Sequence, residues 1–276
     1  MIDLINSSLL ALKKKNIPNP ELDLRILLRS ASFSKKEIIL SNFDIKDLNV
    51  NHFQEILKKR LQFKPISKII NTKSFWKDDF YVNSDVLDPR PETELIIEEV
   101  LNNFKVKEEK LKILDIGTGS GCLAISLAKE FINSEITAID VSQKALFVAK
   151  KNINKYNLSE RINLKLSDIK NLNEKFDIIV SNPPYLSNKE YKNLKKEVKK
   201  YEPSIALLGG KDGLKFYRKL AKEVVSLMKI NSIFICEIGF NQLIACQNIF
   251  KNKNLVLKKI SKDIQKIDRT LTFLKI

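Results

Sequence analysis

From Pro91 onward the sequence alternates between short β-forming runs and stretches with helical spacing. Residues 112–115, 135–140, 162–166, 176–181 and 232–237 predict strands. Residues 91–104, 121–131, 142–156, 212–228 and 241–250 predict helices. Two last strands are expected near 255–260 and 270–274. Strands joined by crossover helices form a mostly parallel sheet with helices on both faces. Ligands of such sheets bind beyond the carboxyl ends of the strands, and the unusual residues of this chain fall there.

The first part of the chain reads differently. None of the seven glycines lies in the first 116 residues. Apolar residues at helical spacing predict helices over 2–15 and 51–63, with a short piece near 35–40. Asn19-Pro20 reads as a cap followed by proline at the first helical position, opening a helix over 21–31. The segment 66–82 is rich in β-formers around Lys77-Asp78-Asp79 and predicts a hairpin. The expected organisation is a helical N-terminal domain (1–65), a β-hairpin linker (66–85) and an α/β catalytic domain (86–276).

Composition removes whole classes of chemistry. His52 is the one histidine, so histidine dyads, triads and histidine-rich metal sites are excluded. Cys122, Cys236 and Cys246 are odd in number and form no C-x-x-C pair, which argues against disulfides and zinc and for a reducing cytoplasm. No apolar run has the length of a membrane span, and the N-terminus lacks the order of a secretory signal. The formal charge of +16 points to a polyanion such as RNA or DNA. However, seven of the 49 basic residues are arginine, and a lysine-heavy surface reads as codon bias rather than specific phosphate recognition.

The window Asp115-Ile116-Gly117-Thr118-Gly119-Ser120-Gly121 follows a predicted strand and opens a predicted helix. Glycines there let the backbone approach a ligand, beside the free N–H groups of a helix start. A dinucleotide fingerprint needs glycine at 122, where Cys122 stands, and the Walker Gly-Lys-Ser/Thr is absent. The remaining pattern, D-x-G-x-G-x-G, is similar to that of S-adenosylmethionine-dependent methyltransferases, with a Rossmann-like sheet. Asp140, ending the next strand, is placed to accept hydrogen bonds from both ribose hydroxyls. Asp168 and Ile169 follow the third strand, where the acid meets an adenine amine and the isoleucine packs on the ring; a turn or cap role for Asp168 is equally open.

Asn182-Pro183-Pro184-Tyr185 closes the fourth strand. Two prolines stiffen the segment and remove two N–H donors. The Asn182 side-chain oxygen and the Pro183 carbonyl can then accept both hydrogens of a planar NH2 group, with Tyr185 stacked over it. Such a site suits a poorly nucleophilic amide or base amine held in line with a methyl donor. It needs neither histidine nor metal. Asn182, Pro183 and Tyr185 are the expected catalytic residues.

With these pieces assembled, the chain resembles the release factor glutamine methyltransferases over nearly its whole length. The likeness rests on Phe75-Trp76, the run Asp88-Pro89-Arg90-Pro91-Glu92-Thr93-Glu94, Asp115 to Gly121, and Ile179 to Tyr185. It extends to Glu202-Pro203, Ala206-Leu207, Gly209-Gly210-Lys211-Asp212-Gly213, Glu237-Ile238-Gly239 with Gln242, and Asp268-Arg269. The resemblance implies methyl transfer from S-adenosylmethionine to the glutamine amide in the Gly-Gly-Gln loop of class-one peptide release factors. It implies cofactor contacts from Gly117, Thr118, Gly119, Ser120, Gly121, Asp140, Ile169 and Asn182. It implies an acceptor clasp from Asn182, Pro183, Pro184 and Tyr185, with Arg90 and Glu94 ordering the loop; a helix-start cap and ion pair is the other reading of those two. A monomer is the expected state. Two other readings stay open: an amine methyltransferase acting on adenine or guanine in DNA or rRNA, and a non-catalytic binding protein. No target-recognition domain or basic-aromatic module is visible for the first, and an intact glycine loop, Asp140 and Asn182 segment argue against the second.

Overall fold

The computed structural model describes residues 2–40, 43–106, 108–252 and 254–276. The chain begins with helices α1 (Ile2–Lys14), α2 (Pro20–Ala31), α3 (Val50–Leu61) and α4 (Ile66–Ile70), then strands β1 (Thr72–Phe75) and β2 (Asp78–Tyr81). Next come α5 (Glu94–Asn103), β3 (Lys112–Ile116), α6 (Cys122–Glu130), β4 (Glu135–Asp140), α7 (Gln143–Lys155), β5 (Ile162–Leu166) and β6 (Phe176–Ser181). The last part holds α8 (Asn188–Asn193), α9 (Lys196–Tyr201), α10 (Lys215–Leu227), β7 (Met228–Glu237), α11 (Leu243–Ile249), β8 (Leu255–Lys262) and β9 (Asp268–Lys275). Two compact units result: Met1–Thr72 with Lys196–Tyr201, and Lys73–Lys195 with Glu202–Ile276.

The first unit is a helical cluster whose core is built from Leu12, Leu24, Leu27, Leu28, Phe53 and Ile56, all nearly inaccessible to water. Pro20 occupies the start of α2 as expected, but Asn19 caps with no side-chain bond; its carbonyl accepts from the Asp23 amide at 2.9 Å instead. Inside the cluster the Arg60 guanidinium donates to Asp23 Oδ2 at 2.6 Å, and Glu197 of α9 stands 4.0 Å away. A buried ion pair of this kind adds little net stability, but losing one partner strands the other charge.

Two local expectations fail here. Residues 35–39 are not helical, and only Leu40 enters a 3-10 turn. Lys35 sits in the left-handed region (φ +56°), and the carbonyls of Lys35 and Ile38 are taken by the Arg29 and Arg25 side chains rather than by helix amides. The hairpin is shorter than the β-rich run: Ile66–Ile70 forms a helical turn that Pro65 starts and left-handed Asn71 ends. Strand pairing begins at Thr72, and the chain reverses at Trp76 (φ +56°).

In the second unit, seven strands line up in the order β5-β4-β3-β6-β7-β9-β8. Neighbours from β5 to β7 run parallel, whereas β9 runs antiparallel to β7 and β8. Alternate residues of each central strand enter opposite cores. Ile113 packs with Leu123, Leu127 and Ile97 on one face, while Leu114 packs with Tyr217, Leu220 and Val224 on the other. Burying each of these side chains is worth roughly 1.5–3 kcal/mol. From β3 the chain steps outward to β4 and β5, then crosses back to β6 on the other side of β3. The sheet therefore has its topological switch between β3 and β6, where such folds bind ligands.

Candidate functional site

The switch point sets two sequence segments side by side. In the parallel register Ile116 pairs with Ser181, so Gly117 and Asn182 leave adjacent strand ends together. Ser181 Oγ donates to the Ile116 carbonyl at 2.9 Å and ties the two ends. A cleft of about 1180 Å³, counting its open mouth, lies beyond them. Its wall includes Gly117, Thr118, Gly119 and Ser120, then Asp140, Asp168 and Ile169, then Asn182, Pro183 and Pro184, with Arg90 on the opposite side. Gly121, Tyr185 and Glu94 do not line it.

The glycine loop is built from left-handed residues: Gly117, Gly119 and Gly121 have φ of +76°, +56° and +81°. Their roles differ. A side-chain carbon added at Gly117 meets nothing within 4 Å, and one at Gly119 meets only the Gly117 carbonyl at 3.9 Å. Both would project into open space at the loop. At Gly121 it would press on Ala149 of α7 at 3.4 Å, so this glycine serves helix packing. The loop is closed by Thr118 Oγ1 donating to Asp115 Oδ2 at 2.7 Å. Burial raises the Asp115 carboxyl to about 7, against the pull of Thr118 and of the Ala124 amide.

Asp140 holds its side chain at the end of β4 through two backbone amides, Ser142 at 2.8 Å on Oδ1 and Gly119 at 3.0 Å on Oδ2. Each oxygen keeps a further lone pair for a ligand hydroxyl. Burial raises the Asp140 pKa, and the Ser142 and Gly119 amides lower it again. Asp168 caps the short turn Ile169–Asn171 by accepting from the Lys170 amide, and its other oxygen is paired with Lys219. Ile169 is 4% exposed and belongs to the core as well as to the cleft wall.

Asn182 donates from Nδ2 to Thr93 Oγ1 at 2.8 Å, and Thr93 Oγ1 donates to Glu237 Oε2 at 2.6 Å. Thr93 and Glu237 are themselves buried. Burial raises the Glu237 carboxyl to about 7. Arg90 donates from Nη2 to both carboxylate oxygens of Glu202, at 2.8 and 2.7 Å, joining the wall that carries Pro89 to the one that carries Pro203 and Ala206. Glu94 instead accepts from the Trp76 amide at 2.6 Å and anchors the hairpin. The Tyr185 ring rests half-buried on the core, away from the cleft wall. Thr93, Glu202 and Glu237 carried no role in the sequence reading. The signal for Glu237 is its place: an acid ending the strand next to that of Asn182.

Three glycines support the Asn182 turn from behind. Added carbons at Gly209, Gly213 and Gly239 would stand 2.8 Å from the Pro184 carbonyl, 2.4 Å from the Tyr185 carbonyl and 2.9 Å from the Tyr185 ring. Gln242 bridges the same region, donating to the Tyr185 carbonyl at 2.9 Å and accepting from the Gly239 amide at 3.0 Å. Gly213 and Gly117 have nearly the same φ, +79° and +76°, but opposite surroundings. G117A is therefore expected to lose only the left-handed backbone term, about 1–2 kcal/mol. G213A loses that and the collision with Tyr185. Denaturant unfolding of the pair checks this, and equal midpoints would show that the loop yields freely.

Residues 89–200 match the methyltransferase small domain family. A release factor glutamine methyltransferase of Caulobacter vibrioides is 34% identical over 94% of this chain and 91% of its own length. A bifunctional methyltransferase of Rickettsia felis is 35% identical over 95% of this chain and 55% of its own. The chain thus spans about half the length of that curated relative. Among solved structures, a methyltransferase from Pyrococcus furiosus superposes with a TM-score of 0.52 at 20% identity, covering 79% of this chain and 97% of its own.

Proposed function

The chain belongs to the family of release factor glutamine methyltransferases, and from that premise we propose that it methylates the glutamine side-chain amide in the Gly-Gly-Gln motif of class-one peptide release factors. The methyl donor is S-adenosylmethionine. The observation that carries the reading is the adjacency of the glycine loop and the Asn182 turn at one switch point.

The residues present fit that cofactor. Gly117 and Gly119 leave open the space a side chain would fill, and Asp140 retains acceptor capacity for two ribose hydroxyls. Thr118, Ser120 and Ile169 would complete its wall, Asp168 would meet the base amine and Asn182 the methionine end. When bound, the cofactor supplies an electrophilic methyl group on a sulfonium. Asn182 Oδ1 and the Pro183 carbonyl accept the two amide hydrogens and turn the nitrogen lone pair toward that methyl. Pro184 stiffens the clasp. Tyr185 stacks over the planar acceptor, and Arg90 orders the cleft wall through its pair with Glu202. The same two acceptors stabilise the positive charge that grows on the nitrogen. In this reading the helical unit, drawn at Thr72 rather than at residue 65 and including Lys196–Tyr201, serves as the substrate-recognition domain, and the second unit, which takes in the hairpin, as the catalytic domain. The protein acts in the cytoplasm as a monomer. No described helix is long and apolar enough to cross a membrane.

The test is methyl transfer from labelled S-adenosylmethionine to a purified release factor, its Gln→Ala loop variant, duplex DNA and ribosomal RNA in parallel. Label on the wild-type factor alone is the expected result. Label on nucleic acid alone would overturn the substrate and make the +16 charge the better guide.

A further inference from the structure

We infer that Thr93 and Glu237 are positioning residues that hold the Asn182 amide in the single orientation that presents its oxygen to the acceptor, an inference that rests on the amide-methylation reading of the cleft. An asparagine amide is nearly symmetric in shape, and its two orientations differ only in which end accepts. In this site the difference is decisive. With Oδ1 toward the cleft, Asn182 accepts from the substrate NH2. With Nδ2 toward the cleft, donor would face donor.

The geometry selects one orientation through a chain of three groups. Nδ2 of Asn182 is 2.8 Å from Thr93 Oγ1, which is 2.6 Å from Glu237 Oε2. An ionised carboxylate only accepts, so it takes the single Thr93 proton. Thr93 Oγ1 then has only lone pairs to offer, and Asn182 must turn its NH2 to it. Burial enforces the arrangement: Thr93 is 2% and Glu237 1% exposed, so no water replaces a lost partner. The backbone around Glu237 is held as well, since the Tyr217 hydroxyl donates to the Glu237 carbonyl at 3.1 Å.

The orientation is thereby coupled to the charge on Glu237. When a protonated Glu237 donates to Thr93, the Thr93 proton is free to turn to Asn182, and the single orientation of the amide is no longer enforced. The groups facing Glu237 are Glu92 and Arg90 before α5, Tyr185 after β6, Cys236 on its own strand, Tyr217 on α10 and Arg269 on β9. Burial and Glu92 raise its pKa, whereas Thr93, Arg269 and Arg90 lower it, leaving it at about 7. Turnover is therefore expected to fall as pH drops through about 7, with the ionised form the active one.

The experiment compares T93V, T93S and E237Q with the wild type. T93V keeps the side-chain shape without the hydroxyl and is expected to lower kcat on the order of 100-fold, with the cofactor Kd from calorimetry within about threefold. T93S restores the hydroxyl and recovers most of that loss. E237Q removes one of the two site carboxyls raised to about 7, so the acid limb becomes shallower, with the share of Asp115 left in place. A readout independent of activity is the Asn182 side-chain NH2 resonance, assigned by its loss in N182A. Its exchange with water is expected to accelerate in T93V. Wild-type turnover in T93V, equal losses in T93V and T93S, an acid limb unchanged in E237Q, or unchanged NH2 exchange each overturns the relay. If the wild type labels no release factor, the substrate reading fails instead, and the NH2 exchange still decides the relay.

Discussion

Asn182→Ala lowers turnover by roughly 100- to 1000-fold while the S-adenosylmethionine Kd stays within about threefold. The magnitude follows from where the side chain acts. Its oxygen is one of two acceptors aimed at the charge that develops on the attacking nitrogen, so its loss is felt in the transition state more than in binding. Its NH2 is already tied to Thr93, so the substitution also leaves that hydroxyl without its donor. The loop that receives the cofactor is untouched, because Gly119 and Asp140 hold each other without Asn182. Calorimetry and single-turnover rates separate the two effects. Unchanged turnover would remove the amide clasp from the mechanism.

Asp140→Ala has the complementary signature. Each hydrogen bond from a ribose hydroxyl to a carboxylate is worth about 1.5–3 kcal/mol, so losing the pair weakens cofactor binding at least about 100-fold. The side chain also organises the loop, since it accepts from the Gly119 amide at 3.0 Å. Saturating cofactor should restore most of kcat. The pKa of Asp140 is raised by burial, so affinity is expected to weaken on acidification at a higher pH than an exposed aspartate would show. A Kd equal to that of the wild type would refute the assignment.

Much of this was legible in the residue pattern. The alternation after Pro91 specified the parallel strands, because a strand buried on both faces cannot hide its apolar run. The left-handed loop was visible because glycine is otherwise so scarce in this chain. What escaped were properties that depend on contacts distant in sequence. Residues 66–70 are β-branched enough to suggest a strand, yet Pro65 and Asn71 bound them as one helical turn. Glu94 and Tyr185 stand inside the most distinctive motifs, yet one bonds the Trp76 amide and the other rests against the core. Thr93 and Glu237 are 144 residues apart, and the packing of the start of α5 against β7 brings them together. The close approach of Gly209, Gly213 and Gly239 to the Asn182 turn likewise depends on contacts distant in sequence.

The assignment of α9 to the helical unit bears on how the protein is made. Chains emerge from the ribosome N-terminus first, and domains tend to fold as they appear. This one cannot finish on that schedule. Residues 1–72 are out early, but the last piece of their unit, Lys196–Tyr201, arrives only after β3 to β6 have been synthesised. Until then the buried Arg60 has Asp23 beside it but not Glu197. The apolar core of this unit draws on residues before Thr72 and can close early, while its last helix joins only after most of the sheet is translated. Completion of the unit becomes a late event of biosynthesis rather than an early one.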